Sequence, residues 1–304
     1  MIPVILDVDT GIDDALAIAY AVRSPELELI GVTTCFGNIP VEEATRNSLA
    51  VLERLRCDAP VIAGADRPLG GPKRGGYPRH IHGDNGLGNV RFAAPARRAQ
   101  DGHAADFIIE QVRKRPGQVT LIAVGPLTNL AIALRKDPEI AAGIGRVVVM
   151  GGAVRVPGNV TPHAEANIHS DPEAAAIVLD ARLPLTLVGL DVTMKTLLPA
   201  SRLQVWREKD PEVGAFFADM TAFYIDAYER AFPGIGGCAL HDPLAVGVAI
   251  DPTFVRDVPM HVRVVREGEA VGRTEERPEG EPNARVCVDV DAERFVAHFL
   301  SRVI

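Results

Sequence analysis

Six carboxylates and two histidines carry most of the chemistry this sequence can offer. Asp7, Asp9, Asp13 and Asp14 crowd eight consecutive residues, Asp7-Val8-Asp9-Thr10-Gly11-Ile12-Asp13-Asp14, just after the apolar run Val4-Ile5-Leu6. Like charges this close repel and raise one another's pKa, so such a cluster calls for a cation, a shared proton or a donor-rich ligand. An Asp at a helix start can serve merely as a cap. One Asp suffices for that, and capping does not account for Asp7 and Asp9 at the end of a strand. Gly11 suggests a tight turn that brings the two pairs together. The cluster therefore reads as a metal site.

Later segments add candidates. Glu165 and Asn167 stand two apart in Gly158-Asn159-Val160-Thr161-Pro162-His163-Ala164-Glu165-Ala166-Asn167. If that segment is extended, they share a face and can grip vicinal hydroxyls together. His163 and His169 would then join them, which leaves a His/Glu transition-metal site as a competing reading. His241-Asp242-Pro243 is a further candidate, although Asp before Pro is a common helix start with Asp as N-cap and Pro at N1. Five Asp-Pro pairs occur in this chain, so the pair alone says little. The neighbouring His241 singles out Asp242.

These residues need a scaffold that gathers distant turns. Strands are expected near 4–9, 29–34, 61–63, 119–124, 146–150 and 185–190, and helices near 14–23, 41–55, 103–115, 127–135 and 172–181. The alternation predicts an α/β fold, a mostly parallel open sheet with helices on both faces. Val147-Val148-Val149-Met150 is apolar throughout, as a strand covered on both sides should be. In such sheets ligands sit beyond the carboxyl ends of the strands. The turns expected there are polar or glycine-rich: the aspartates, Gly37-Asn38, Gly125-Pro126-Leu127-Thr128-Asn129 and Gly151-Gly152.

The chain has 304 residues, 47% hydrophobic and 24% charged, with a formal net charge of −8. It can bury a large core, and a single domain over residues 1–304 is expected. The acidic balance, without dense Lys/Arg runs, argues against nucleic acid as a partner. No stretch approaches the length of a membrane span, and the N-terminus opens directly on a strand, so a cytoplasmic location is expected. The four cysteines have no CxxC spacing, so neither a zinc site nor a disulfide framework is indicated.

Together these motifs resemble the inosine-uridine preferring nucleoside hydrolases, calcium-dependent N-ribohydrolases with a Rossmann-like fold. The anchor is Asp7-x-Asp9-x-Gly11-x-Asp13-Asp14-Ala15 after an N-terminal strand. Gly37-Asn38, His82-Gly83, Gly125 to Asn129, Gly158 to Asn167 and His241-Asp242-Pro243 follow in order. The resemblance implies Ca²⁺ bound by Asp9, Asp14, Asp242 and the carbonyl of Val124, all hard oxygen donors. It implies ribose held by Asp13, Asn38, Asn159, Glu165 and Asn167, with Asp7 orienting the ligands from behind. Asp9 would be the general base. His241, then His82, would assist the leaving base, with Tyr224 and Tyr228 against it. A homodimer or homotetramer acting on a small ribonucleoside is the expected assembly.

Two other readings compete. Asp7-Val8-Asp9 also begins like the haloacid dehalogenase phosphatases, though Gly11 and the Asp13-Asp14 pair do not fit them. A calcium-dependent module that binds nucleosides or ribose without turnover would need neither base nor acid. An EF-hand is excluded, since the ligand spacing and terminal Glu are missing.

Overall fold

A computed structural model describes residues 1–304. Its strands are β1 (Ile2–Val8), β2 (Leu27–Thr34), β3 (Val61–Ala63), β4 (Thr120–Ala123), β5 (Arg146–Met150), β6 (Leu185–Val188), β7 (Leu197–Pro199), β8 (Gly237–Ala239), β9 (Val255–Val264), β10 (Thr274–Arg277) and β11 (Ala284–Val290). Nine of them form one sheet in the order β10-β9-β11-β6-β5-β4-β1-β2-β3, and β7 and β8 form a separate antiparallel pair. From β3 to β6, and on to β11, every pairing is parallel; β9 alone runs against the rest, pairing antiparallel with both β11 and β10.

The expected mostly parallel α/β sheet with helices on both faces is what the chain forms. Alternation along each strand divides the core. Val4, Leu6 and Val8 of β1, with Val148 and Met150 of β5, pack into one apolar layer. Ile5, Val147 and Val149 face the other. Helices Ile12–Val22 and His241–Ile250 cover the first layer, and Ala104–Lys114, Thr128–Lys136 and Pro172–Asp180 cover the second.

Strand order reverses at β1, which lies between β2 and β4. The chain leaves β1 toward one side and later returns on the other, so a crevice opens beyond the carboxyl ends of β1 and β4. Asp9 follows β1 there, and Val124 and Gly125 follow β4.

Three local expectations change. The strand expected over 185–190 stops at Val188, and a short helix, Leu190–Thr193, begins at once. Gly11 does not make a special turn: its φ is −87°, open to any residue. A Cβ there would instead lie 2.5 Å from His82 Nδ1, so glycine is required for close approach. The segment around Glu165 is not extended but turns into the helix Ala166–Ser170.

Candidate active site

The turn after β1 is held together by its own backbone donors. Asp14 Oδ1 accepts the N–H of Asp9 at 3.0 Å, and its Oδ2 accepts the N–H of Gly11 at 2.9 Å. Asp14 thus does cap its helix, yet it is fully buried and also accepts from Asn38 Nδ2 at 3.1 Å. Asp9 Oδ2 accepts the N–H of Asn38 at 2.6 Å. Gly37 permits that approach, because a Cβ on it would fall 1.9 Å from Asp9 Oδ2.

Three carboxylate oxygens here have no hydrogen-bond partner although they are buried: Asp7 Oδ2, Asp9 Oδ1 and Asp13 Oδ1. Such orphans are expensive unless a ligand completes them. Carboxylate oxygens of Asp13, Asp14 and Asp242 lie within 4.8 Å of one another, all buried. Asp242 is in the first turn of His241–Ile250, but it does not cap that helix; Leu240 occupies the N-cap and its side chain cannot bond. By contrast Asp171 and Asp251, also followed by Pro, each accept a backbone N–H as expected of caps. Asp242 is therefore free of the duty that made its motif ambiguous.

The electrostatics follow from burial. Desolvation first, then Asp14, holds Asp9 well above the usual carboxylate range. Burial and then Asp13 push Asp14 up to about 7 and raise Asp242 strongly. Asp7 is pushed up to about 6 by burial, partly offset by hydrogen bonds from Thr33 Oγ1 at 2.5 Å and Asn129 Nδ2 at 2.8 Å. These four carboxylates would release their protons readily to a cation, and a hard, all-oxygen set with unpaired lone pairs suits a divalent metal. The residues fit such an ion. Asp13 joins them more closely than the sequence motif implies, while Asp9 contributes its orphan oxygen beside them.

The other expected residues fall around this centre in different states. Asn167 is buried, and its amide donates to the carbonyls of Val124 at 2.7 Å and Met150 at 3.1 Å. Glu165 caps the helix that carries Asn167: its carboxylate accepts the N–H of Asn167, Ile168 and Gly152 at 2.8, 3.2 and 2.9 Å. Burial raises its pKa against those three bonds. The pair therefore does not grip from one face of a strand, and His163 and His169 are not gathered with a carboxylate cluster. Asn159 is exposed, and its Oδ1 accepts the N–H of Ala166 at 3.0 Å, which ties the loop down.

Histidines and tyrosines line the adjoining wall. His241 is buried with both ring nitrogens engaged, Nε2 with the Tyr228 hydroxyl at 2.6 Å and Nδ1 with Thr193 Oγ1 at 2.7 Å. Tyr228 meets Tyr224 edge to face at 5.0 Å, and the Tyr224 hydroxyl donates to Asp13 Oδ2 at 3.2 Å. Tyr224 stacks on His82 at 5.5 Å. His82 Nδ1 accepts the N–H of Ile12 at 3.2 Å, so the 3.9 Å approach of that nitrogen to Asp13 is no ion pair. Burial lowers the pKa of both histidines, and the neutral His82 ring must carry its proton on Nε2.

Thr193 and Asn129 were not singled out by sequence reasoning for these contacts. Thr193 comes from the short helix Leu190–Thr193 that follows β6, where the sequence shows no glycine-rich or acidic turn of the kind that follows β1 and β5. Asn129 Nδ2 also reaches the Thr34 carbonyl at 3.0 Å, and its Oδ1 accepts the N–H of Ala65, tying the ends of three strands together.

Comparison with known proteins now decides between the readings. Residues 4–297 match the family model described as "Inosine-uridine preferring nucleoside hydrolase". The chain belongs to that family. This hydrolase is 40% identical over 274 residues to "Uridine nucleosidase 1" of Arabidopsis thaliana, covering 89% of this chain and 80% of that protein. It is 35% identical over 297 residues to the "Pyrimidine-specific ribonucleoside hydrolase RihB" of Escherichia coli O157:H7, covering 96% and 94%. Its structure superposes on that of the "Purine-Preferring Ribonucleoside Hydrolase from Gardnerella vaginalis" with a TM-score of 0.96 at 44% identity, over 99% and 98% of the two chains. Membership displaces the phosphatase and binding-module readings. Relatives of comparable identity divide between pyrimidine and purine, so the family alone does not fix the base.

Proposed function

We propose that this hydrolase cleaves the N-glycosidic bond of ribonucleosides of the inosine, uridine and cytidine type, giving ribose and free base, with Ca²⁺ as its metal. The supporting observation is the orphan Asp9 Oδ1, buried beside three further carboxylates at the crevice between β1 and β4. Asp9, Asp14, Asp242 and the Val124 carbonyl would hold the ion, with Asp13 at its edge. A bound Ca²⁺ would supply positive charge that acidifies a water and orders hydroxyl groups.

The chain's own groups carry the remaining steps. Asp9 Oδ1 takes the proton of the attacking water, a task suited to a carboxylate whose pKa is raised. Asp13, Asn38, Asn159, Glu165 and Asn167 hold the ribose. Asp7, fixed by Thr33 and Asn129, keeps the end of β1 in place behind Asp9. The negative carboxylates stabilise the ribosyl cation that develops as the bond breaks. His241 has no free nitrogen, so a proton bound for the leaving base passes through the Tyr228 hydroxyl. His82 offers its Nε2–H as a second donor, and Tyr224 and Tyr228 supply the pocket's aromatic wall. On the resemblance, the protein works in the cytoplasm in nucleoside salvage, as a homodimer or homotetramer of single-domain chains.

The test is a reducing-sugar assay on inosine, uridine, cytidine, adenosine and their 2′-deoxy forms, with enzyme stripped by EGTA and restored with Ca²⁺. Restored release confined to ribonucleosides is the expected result, and Asp9→Asn should abolish it while sparing the fold. Release that persists without metal, or equal rates on deoxynucleosides, would overturn the proposal.

A further inference from the structure

The opposite edge of the sheet carries a second cavity, far from the carboxylates. It has a volume of about 1460 Å³ and is built where β5 and β6 begin, under the start of β9 and the segment that leads into β11. β5 alone, five residues long, separates it from the active edge by about 15 Å. Its walls carry four arginines, Arg146, Arg182, Arg256 and Arg285, and three acids, Asp180, Asp257 and Glu281.

The acids are largely used up. Asp257 is paired bidentately with Arg285 (Nε to Oδ2 at 3.0 Å), and Glu281 lies 3.2 Å from Arg182. Arg146 and Arg256 remain without an ion pair or a side-chain hydrogen bond, against the single unpaired Asp180. The wall thus keeps two unpaired arginines against one unpaired acid, in a chain whose net charge is −8.

Arg146 is the informative member. It opens β5, and its side chain is partly buried between neighbouring strands; burial opposes its charge more than Cys287 and Asp257 favour it. A guanidinium cannot escape by losing its proton, so its unpaired, partly desolvated donors are open to an anion that enters from the cavity. Its planar fork suits two oxygens of one anion. The cavity exceeds what a lone inorganic ion needs and is ample for a nucleotide-sized ligand.

We propose that this cavity is a second binding site, for a phosphate-bearing small molecule gripped by Arg146 and assisted by Arg256. The phosphate could sit on a nucleotide or on a sugar alone, and the probes separate the two. Calorimetric titration of the metal-loaded enzyme would use inosine 5′-monophosphate, ribose 5-phosphate and, as control, ribose. Saturable binding of a phosphorylated probe is expected, weakened at least tenfold in Arg146→Met and less in Arg146→Lys, which keeps the charge but not the fork. Nucleoside hydrolysis without the probe should be unchanged in both variants, which also certifies their fold. Binding of inosine monophosphate but not ribose 5-phosphate would assign the site to nucleotides; the reverse potency would assign it to sugar phosphates. Three outcomes would overturn the proposal: no binding, binding indifferent to Arg146, or binding that competes with nucleoside at the active site. A change of oligomeric mass in Arg146→Met, seen by light scattering, would also do so, because it would make the cavity a contact between copies.

Discussion

Removing the imidazole of His241 tests the proton path most directly. Both its nitrogens are bonded, to Thr193 at 2.7 Å and Tyr228 at 2.6 Å, so His241→Ala strands two buried hydroxyls. Each unpaired hydroxyl costs about 1–3 kcal/mol, and a cavity adds to that, so a stability loss of roughly 3–5 kcal/mol is expected. Such a loss falls within the margin of a typical domain but is large enough to confuse kinetics. Tyr228→Phe is the cleaner probe, since it deletes one hydroxyl, keeps the ring in its packing and leaves His241 bonded to Thr193. A positioned proton donor contributes about 10²- to 10⁴-fold, so kcat/KM on inosine should fall by at least about 10² in both variants, some 2.7 kcal/mol of barrier. On p-nitrophenyl riboside, whose leaving group needs no proton, neither should lose more than about threefold. Equal losses on both substrates would refute proton delivery altogether. A severe loss in His241→Ala with none in Tyr228→Phe would refute delivery through the tyrosine.

Gly37→Ala would push a methyl to within 1.9 Å of Asp9 Oδ2 and displace the carboxylate from the N–H of Asn38. A shift of that size should lower kcat by about 10²-fold and stability by about 1–3 kcal/mol, and a normal kcat would show that Asp9 is not held to a tight position. Metal removal should show a pH signature in thermal melting. In the folded, metal-free protein Asp14 is pushed up to about 7 and Asp7 to about 6, above the unfolded value near 4. Groups raised in this way contribute stability that is fully present below about pH 4 and lost as pH climbs through 6 and 7. The difference in Tm between calcium-loaded and EDTA-stripped protein should therefore widen from pH 5 to pH 7.5. A gap that is constant or narrows would mean that these carboxylates are not what the ion relieves.

The sheet as far as Val188 was legible because its strands are short apolar runs bounded by turn residues, and buried parallel strands leave no polar face to confuse them. Beyond that the pattern fails for a physical reason. β9 is near the sheet's edge, so Val255–Val264 mixes arginines, His261 and Pro259 with its buried positions and does not read as an apolar run. Glu275 to Pro282, rich in Glu, Gly and Pro, begins in the edge strand β10, whose residues are charged because one side has no neighbour. The site divides similarly. Carboxylates packed into one turn announce themselves by repulsion, whereas the Thr193 hydroxyl acquires its role only through a contact 48 residues away. The extended geometry expected around Glu165 and Asn167 does not form, because a single N-cap carboxylate can convert an apparent strand into a helix start.

What neutralises the carboxylates within the fold can be weighed against what remains. Helices Ile12–Val22 and His241–Ile250 both begin at the cluster, with Asp13 and Asp14 in one first turn and Asp242 in the other. Each positive helix end favours an anion by about 0.3–2 kcal/mol. The N–H groups of Asp9, Gly11 and Asn38 add charge-assisted hydrogen bonds. Yet Asp9, Asp14 and Asp242 all stay well above the usual carboxylate range, so these donors fall short of offsetting burial. Further donors from the chain could have closed the gap, and Asp7 Oδ2, Asp9 Oδ1 and Asp13 Oδ1 are places where none is supplied, the last two beside Asp14 and Asp242. A cation placed there would recover the deficit, and a substrate hydroxyl or water beside it would meet a base already biased to accept a proton.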